Sequence, residues 1–296
     1  MASANTASSY ATDAAVVTGA SSGIGRAAAK ALIDRGWRVF GSVRKEADAE
    51  ATSEALGPAF TPLLFDVTDD GAIRDAASDV ADALEGRTLK GLVNNAGIAL
   101  AGPVRYLPLE TVERQFDVNI FGVVRTTQAF LPLLGADTAF KGAPGKIVNM
   151  SSVAGKIATP FMAPYAMSKH ALEALSASLR RELIIHGIDV VVVGPGAVKT
   201  PIWDKGEDLD ISLYIDTEYG ELLERMRGLM TAAGEGGLPA EAIGTLVADI
   251  LEGKERKTRY AILRNKFTNW TLPRLFPERM LDKAIAGRFG IKRRKR

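Results

Sequence analysis

From Ala14 onward, short runs of apolar and β-branched residues alternate with longer stretches in which apolar and polar positions mix at helical spacing. The short runs are AAVVT, WRVFGSV, TPLLF, LKGLVN, GKIVNM, IDVVVV and TRYAIL. Most are continuously apolar, the pattern of strands covered on both faces. Segments such as GRAAAKALIDRG and DGAIRDAASDVADALEG have helical length and lie between them. Alternation of this kind predicts β-α-β units with right-handed crossovers. The expected fold is α/β, a single doubly wound parallel sheet of about seven strands with helices on both faces. No internal repeat or low-complexity linker divides it, so residues 13–263 read as one domain.

Two regions depart from the alternation. Residues 201–239 carry charge, glycine and aromatics (Trp203, Tyr214, Tyr219) after a strand, which suggests a substrate lid. Residues 264–296 form a basic extension that the sheet does not need. Within it Leu281, Ile285 and Phe289 recur at i, i+4, i+8, which predicts a helix with one apolar stripe beside a basic face. Such a helix can lie on an anionic membrane surface as a peripheral contact, or dock on the domain as a lid.

Composition narrows the chemistry. The chain has 296 residues, 47% of them hydrophobic, enough for a continuous core. It has no cysteine and two histidines, His170 and His186, which removes disulfides and thiolate catalysis and leaves no histidine-rich metal set; no metal is expected. The net charge of +2 hides an asymmetry: residues 264–296 hold 11 Lys/Arg against Glu278 and Asp282, so the basic character belongs to the tail. Interleaved aromatics are missing at its very end, so no nucleic-acid partner is expected. Residues 1–12 lack the basic and apolar regions of a secretory signal and read as a disordered leader. No run reaches the ~18 apolar residues of a membrane span. The expectation is a cytoplasmic protein, with membrane-surface association left open by the tail.

Val16-Val17-Thr18-Gly19-Ala20-Ser21-Ser22-Gly23-Ile24-Gly25 runs from a strand into a helix. Gly19 permits a turn, Gly23 lets backbone approach a pyrophosphate, and Gly25 permits close helix–strand contact. Free N–H groups opening the helix then face phosphate charge. About 20 residues on comes Ser42-Val43-Arg44. Arg44 offers a charged fork and Ser42 a hydroxyl to a 2′-phosphate, so NADP (NADPH) is expected over NAD. Tyr165 and Lys169 stand four apart on a predicted helix face continued by Leu172, Ser176, Leu179 and Leu183. A phenol titrates near ~10, and an ammonium one turn away favours phenolate, which would make Tyr165 an acid/base near neutrality.

TGASSGIG, Asn94-Asn95-Ala96-Gly97, Asn119, Ser152, Tyr165-Ala166-Met167-Ser168-Lys169 and Pro195-Gly196 occur in an order and at spacings that closely resemble the short-chain dehydrogenase/reductase family, over roughly Asp13 to Leu263. The body is similar to its steroid and retinol dehydrogenase-like branch. The resemblance implies a Rossmann-type NADP-binding catalytic domain and a set of roles. Ser152, thirteen residues before Tyr165, would hold the substrate oxygen; Asn119 would bend its helix and hold a water near Lys169. Ser21, Ser22 and Ile24 belong to the phosphate loop. Asp66 with Val67 would meet the adenine edge, and Asn94, Ala96 and Gly97 the adenine-ribose pocket, Asn94 also steadying the sheet. Pro195, Gly196, Val198 and Thr200 would hold the nicotinamide carboxamide. Val43 stands where NAD-preferring members carry Asp, and Gly194 where relatives often carry a polar residue. Ile157, Phe161 and Trp203 are expected among apolar residues lining the substrate pocket, with Gly155, Pro160, Met162, Ile98, Leu100, Leu213, Tyr214, Met226 and Met230. The implied reaction interconverts a hydrophobic ketone or aldehyde and its alcohol, on a steroid-, retinoid- or lipid-like substrate. The implied assembly is a homodimer or homotetramer. The alternative is a cofactor-binding regulatory or membrane-associated protein without turnover.

Overall fold

Valine and alanine fill the strands because both sheet faces are covered, and the coverage alternates along each strand. In the computed structural model, which describes residues 13–200 and 212–293, Ala15 and Val17 of β1 (Ala14–Val17) pack into one layer with α1 (Gly23–Ile33) and α8 (Ala240–Leu251). Ala14 and Val16 pack into the other, with α3 (Asp70–Leu84) and Phe130 of α5 (Gly122–Phe130). The remaining strands of the sheet are β2 (Arg38–Val43), β3 (Phe60–Leu64), β4 (Gly91–Asn94), β5 (Lys146–Met150), β6 (Asp189–Pro195) and β9 (Arg259–Ile262). All pair in parallel, in the order β3-β2-β1-β4-β5-β6-β9. The seven expected runs are these seven strands.

Strand order reverses between β1 and β4, so their carboxyl ends diverge and leave a crevice, the usual place for a ligand on an open α/β sheet. The helices are held close to make that crevice. Gly244 of α8 lies so near the Ala27 backbone of α1 that a Cβ there would clash with the Ala27 carbonyl. Helices α2 (Glu46–Leu56), α4 (Leu109–Phe116), α6 (Ala163–Glu182) and α7 (Gly220–Glu235) complete the domain.

The patterns did not foresee β7 (Val198–Lys199) and β8 (Leu238–Pro239), a parallel pair that pins together the two ends of the insert. Two residues are too short for any periodicity to register. Of the expected lid, Trp203 and its neighbours at 201–211 lie outside the described residues, as do 1–12 and 294–296. The rest contains α7, whose Leu223 and Met226 are buried with Tyr214 and Met162. The C-terminal segment is packed against the body at two points. Trp270 is buried with the Arg259 guanidinium 4.3 Å and that of Arg274 4.7 Å from its ring centre. Phe289, closing α9 (Glu278–Phe289), packs on the cluster of Tyr214, Leu223 and Met226. Among the described residues, no helix is long and apolar enough to cross a membrane.

Candidate active site

The crevice begins at the glycine loop. Gly19 and Gly23 have positive φ (67° and 54°), and a Cβ on Gly19 would press on Ala96 Cα at 3.1 Å. Gly25 has no room for a side chain, because its Cβ would strike the Gly19 carbonyl and the Asn95 amide. The loop is tied down from behind. Ser42 Oγ accepts from Gly19 N–H at 2.9 Å, and Thr18 Oγ1 accepts from the N–H groups of Asn95 (2.9 Å) and Ala96 (3.0 Å). Asn95 Nδ2 donates to the carbonyls of Thr18 and Gly19 at 2.9 and 3.1 Å.

Gly19, Ser21, Ser22, Gly23 and Ile24 line one wall of the crevice, and Ser42, Arg44, Asp66 and Val67 line its outer end. Ala96 and Gly97 form the floor; Tyr165, Lys169, Pro195 and Thr200 close the inner end. Expected residues are thus brought together from the ends of five strands of the sheet and from α6. This cradle of free loop N–H groups and glycines that exclude side chains fits a dinucleotide.

Several expectations need correction. Asn94 does not line the crevice: it is buried inside the sheet, donating from Nδ2 to Asn149 Oδ1 (2.8 Å) and Thr127 Oγ1 (3.2 Å). Its neighbour Asn95 lines the crevice instead. Successive strand residues face opposite ways, and the doublet alone could not say which faced the ligand. Ser42 is buried and spends its Oγ on the loop N–H. Gly25 makes the close contact expected of it, while Gly196 and Val198 serve packing. Gly196 N–H donates to Ile262 O at 2.9 Å, and Val198 is buried on β7. Among the expected pocket residues, Leu213 is exposed, while Met162, Tyr214 and Met226 belong to a buried cluster. Phe161, at positive φ (67°), packs edge-on to Tyr219 with ring centres 5.7 Å apart, and Tyr165 packs against the same cluster. Ile157, partly exposed, sits just past the 3-10 turn that follows Ser152, its N–H donating to Val153 O at 3.1 Å. Ser151 and Met150, not expected there, also line the crevice.

Asn119, Ser152 and Lys169 are each held in place by hydrogen bonds. The helix carrying Asn119 changes to a π-helical turn at Asp117–Phe121. Asn119 Oδ1 accepts from Ile98 N–H at 2.9 Å, and its Nδ2 donates to Ile98 O (3.0 Å) and Ser168 Oγ (3.1 Å). Ser152 Oγ accepts from Ala154 N–H at 3.1 Å, and its side chain hydrogen-bonds that of Tyr165. Lys169 Nζ donates to Met150 O at 2.9 Å and lies 5.7 Å from the centre of the Tyr165 ring.

The electrostatics differ from the sequence expectation. Burial pushes the Tyr165 phenol above its ordinary value, against a smaller opposing effect of the Ser152 hydrogen bond. Burial pushes Lys169 down to about 8, partly opposed by the Glu173 carboxylate. The phenol therefore holds its proton at neutral pH, with the Lys169 ammonium beside its ring.

The model of the family described as short chain dehydrogenase matches residues 13–209. An NADPH-dependent 3-dehydrocapnine reductase of Ornithobacterium rhinotracheale is 40% identical over 269 residues, covering 91% of this chain and 94% of that protein. Human retinol dehydrogenase 5 is 37% identical over 187 residues, covering 63% of this chain and 57% of that one. A short chain dehydrogenase/reductase of Burkholderia phymatum in complex with NAD superposes with TM-score 0.76 at 25% identity, covering 92% of this chain and 95% of that one. Matched along most of its length, with the glycine loop, Tyr165 and Lys169 lining one crevice and Ser152 against Tyr165 beside it, the chain is an oxidoreductase of the short-chain dehydrogenase family.

Proposed function

We propose that the chain reduces a lipophilic ketone with NADPH, Tyr165 donating the proton to the carbonyl oxygen. The observation that carries this reading is the half-buried Tyr165 side chain, hydrogen-bonded to Ser152 and packed between the crevice and the apolar cluster of Met162, Tyr214, Leu223 and Met226. Reduced nicotinamide, when bound, supplies the hydride. The Ser152 hydroxyl orients the substrate oxygen and stabilises the charge that develops on it. Tyr165 passes its proton to that oxygen, and the Lys169 ammonium stabilises the phenolate left behind. Met150 O holds the ammonium in place for this. Arg44, whose side chain is 61% exposed and only loosely paired with Asp66 at 3.8 Å, is free to turn to a 2′-phosphate, and Val43 offers no carboxylate to repel one. The NADPH-dependent relative, named for reducing 3-dehydrocapnine, supports both the cofactor and the direction.

The test is NADPH oxidation followed by absorbance against a panel of lipophilic ketones, 3-dehydrocapnine among them. Turnover of at least one, with NADH much poorer, is expected. Tight NADPH binding with no turnover of any would support a regulatory protein instead.

We also propose a homodimer through the groove between α4 and α6, where Phe121, Met167 and Leu109 are exposed beside Glu113 and Arg114. An isologous contact suits a patch carrying both signs of charge. Contact with an anionic membrane surface is proposed for the C-terminal segment, where Phe267, Leu275, Phe276 and Met280 are exposed among basic residues.

A further inference from the structure

Glu173 is a buried carboxylate one helical turn beyond Lys169, its side chain only 6% exposed. It accepts from Ser151 Oγ at 2.8 Å and from Arg259 Nε at 2.9 and 3.0 Å, and Lys156 Nζ stands 3.5 Å away. Arg259 comes from β9, the last strand of the sheet. Its Nη2 donates to the Ser152 carbonyl at 3.3 Å, and its guanidinium plane lies over Trp270 of the C-terminal segment. Gly194 on β6 makes the room: a Cβ there would stand 2.7 Å from Arg259 Nη2 and 3.2 Å from Ser152 O. The glycine standing where relatives often carry a polar residue is therefore the space through which this guanidinium reaches the catalytic strand end.

We propose that Arg259, clamped between Glu173 and Trp270, is a positioning residue that sets Ser152 and Lys169 for proton transfer and ties them to the C-terminal segment. The proposal rests on the reductase reading above. The charged and titratable groups around Glu173 are Arg259 from β9, Lys156 after β5, and Lys169 on its own helix, with Tyr165 one turn before that. Arg259 sets its guanidinium charge against the buried Glu173 carboxylate, and the carboxylate in turn supports the Lys169 cation. A planar fork is needed, because one side chain must meet a carboxylate, a carbonyl and an indole face together.

The test compares Arg259→Ala, Gly194→Ala, their double mutant and Glu173→Gln, all in the full chain with NADPH and a turned-over ketone. Circular dichroism and NADPH binding serve as fold controls. Arg259→Ala is expected to lower kcat at least about tenfold while NADPH affinity stays within about twofold, since misplacing a catalytic group acts on chemistry. Gly194→Ala is expected to reproduce that loss, with the double mutant no worse than Arg259→Ala alone. Glu173→Gln, by removing the charge that supports Lys169, is expected to move the alkaline limb of the rate profile to lower pH by about one unit. Both Arg259→Ala and Gly194→Ala are expected to change the emission of Trp270, its share identified with Trp270→Phe. Parental kcat and emission in Gly194→Ala, or an unmoved limb in Glu173→Gln, would overturn the proposal. An inactive parent chain contradicts the reductase reading on its own account, and unchanged emission in the two variants still overturns the clamp.

Discussion

At the scale of single residues, the site depends on what burial does to two ionisable groups. Lys169 holds its charge only below about 8, so kcat/KM for a ketone is expected to fall as pH rises through that value, the cation being lost on the alkaline side. A flat profile from pH 7 to 9 would contradict the role given to Lys169. Arg44→Ala is expected to raise the KM for NADPH about tenfold and leave that for NADH unchanged, a modest figure because the guanidinium is solvent-exposed. Paired steady-state measurements with the two cofactors decide it. Tyr165, Lys169 and Ser152 could be read in the sequence because their spacing resembles a known family and their chemistry is distinctive. The raised phenol was not legible, since spacing suggests an ammonium but says nothing of how deeply both groups are buried. Asn94 and Asn95 show the other limit: adjacent identical residues differ only in which face of the strand they take, and the next strand decides that.

At the scale of elements, the long strands and helices were legible because each satisfies one periodicity over many residues. The β7–β8 pair was not, because two-residue strands are made by tertiary closure of the insert. The close approach of α1 and α8 was hidden as well, since Gly244 gives no sign in sequence of what it faces. Gly244→Ala is expected to destabilise the fold by about 1–3 kcal/mol through overpacking against Ala27, measured as a lower denaturation midpoint with unchanged m. The helix stripe of Leu281, Ile285 and Phe289 was visible, but its partner was not. All three are half-buried, and Phe289 packs on the α7 cluster, which does not include Leu281 or Ile285.

At the scale of the whole molecule, the two exposed apolar surfaces are expected to behave differently. Phe121→Glu with Met167→Lys should convert a dimer to a monomer in light scattering without lowering the denaturation midpoint, because both side chains are about half exposed in the single chain. Co-sedimentation with anionic but not zwitterionic vesicles should be lost when Phe267, Leu275 and Phe276 are replaced by Ser. The proposed turnover belongs to the whole molecule, since it draws on the loop on β1, Ser152 after β5, Tyr165 on α6 and Arg259 on β9. The most direct test replaces one oxygen atom. Tyr165→Phe should bind NADPH as the parent chain does and reduce its best ketone about 10²–10⁴-fold more slowly. Turnover by Tyr165→Phe within a few-fold of the parent would contradict the account.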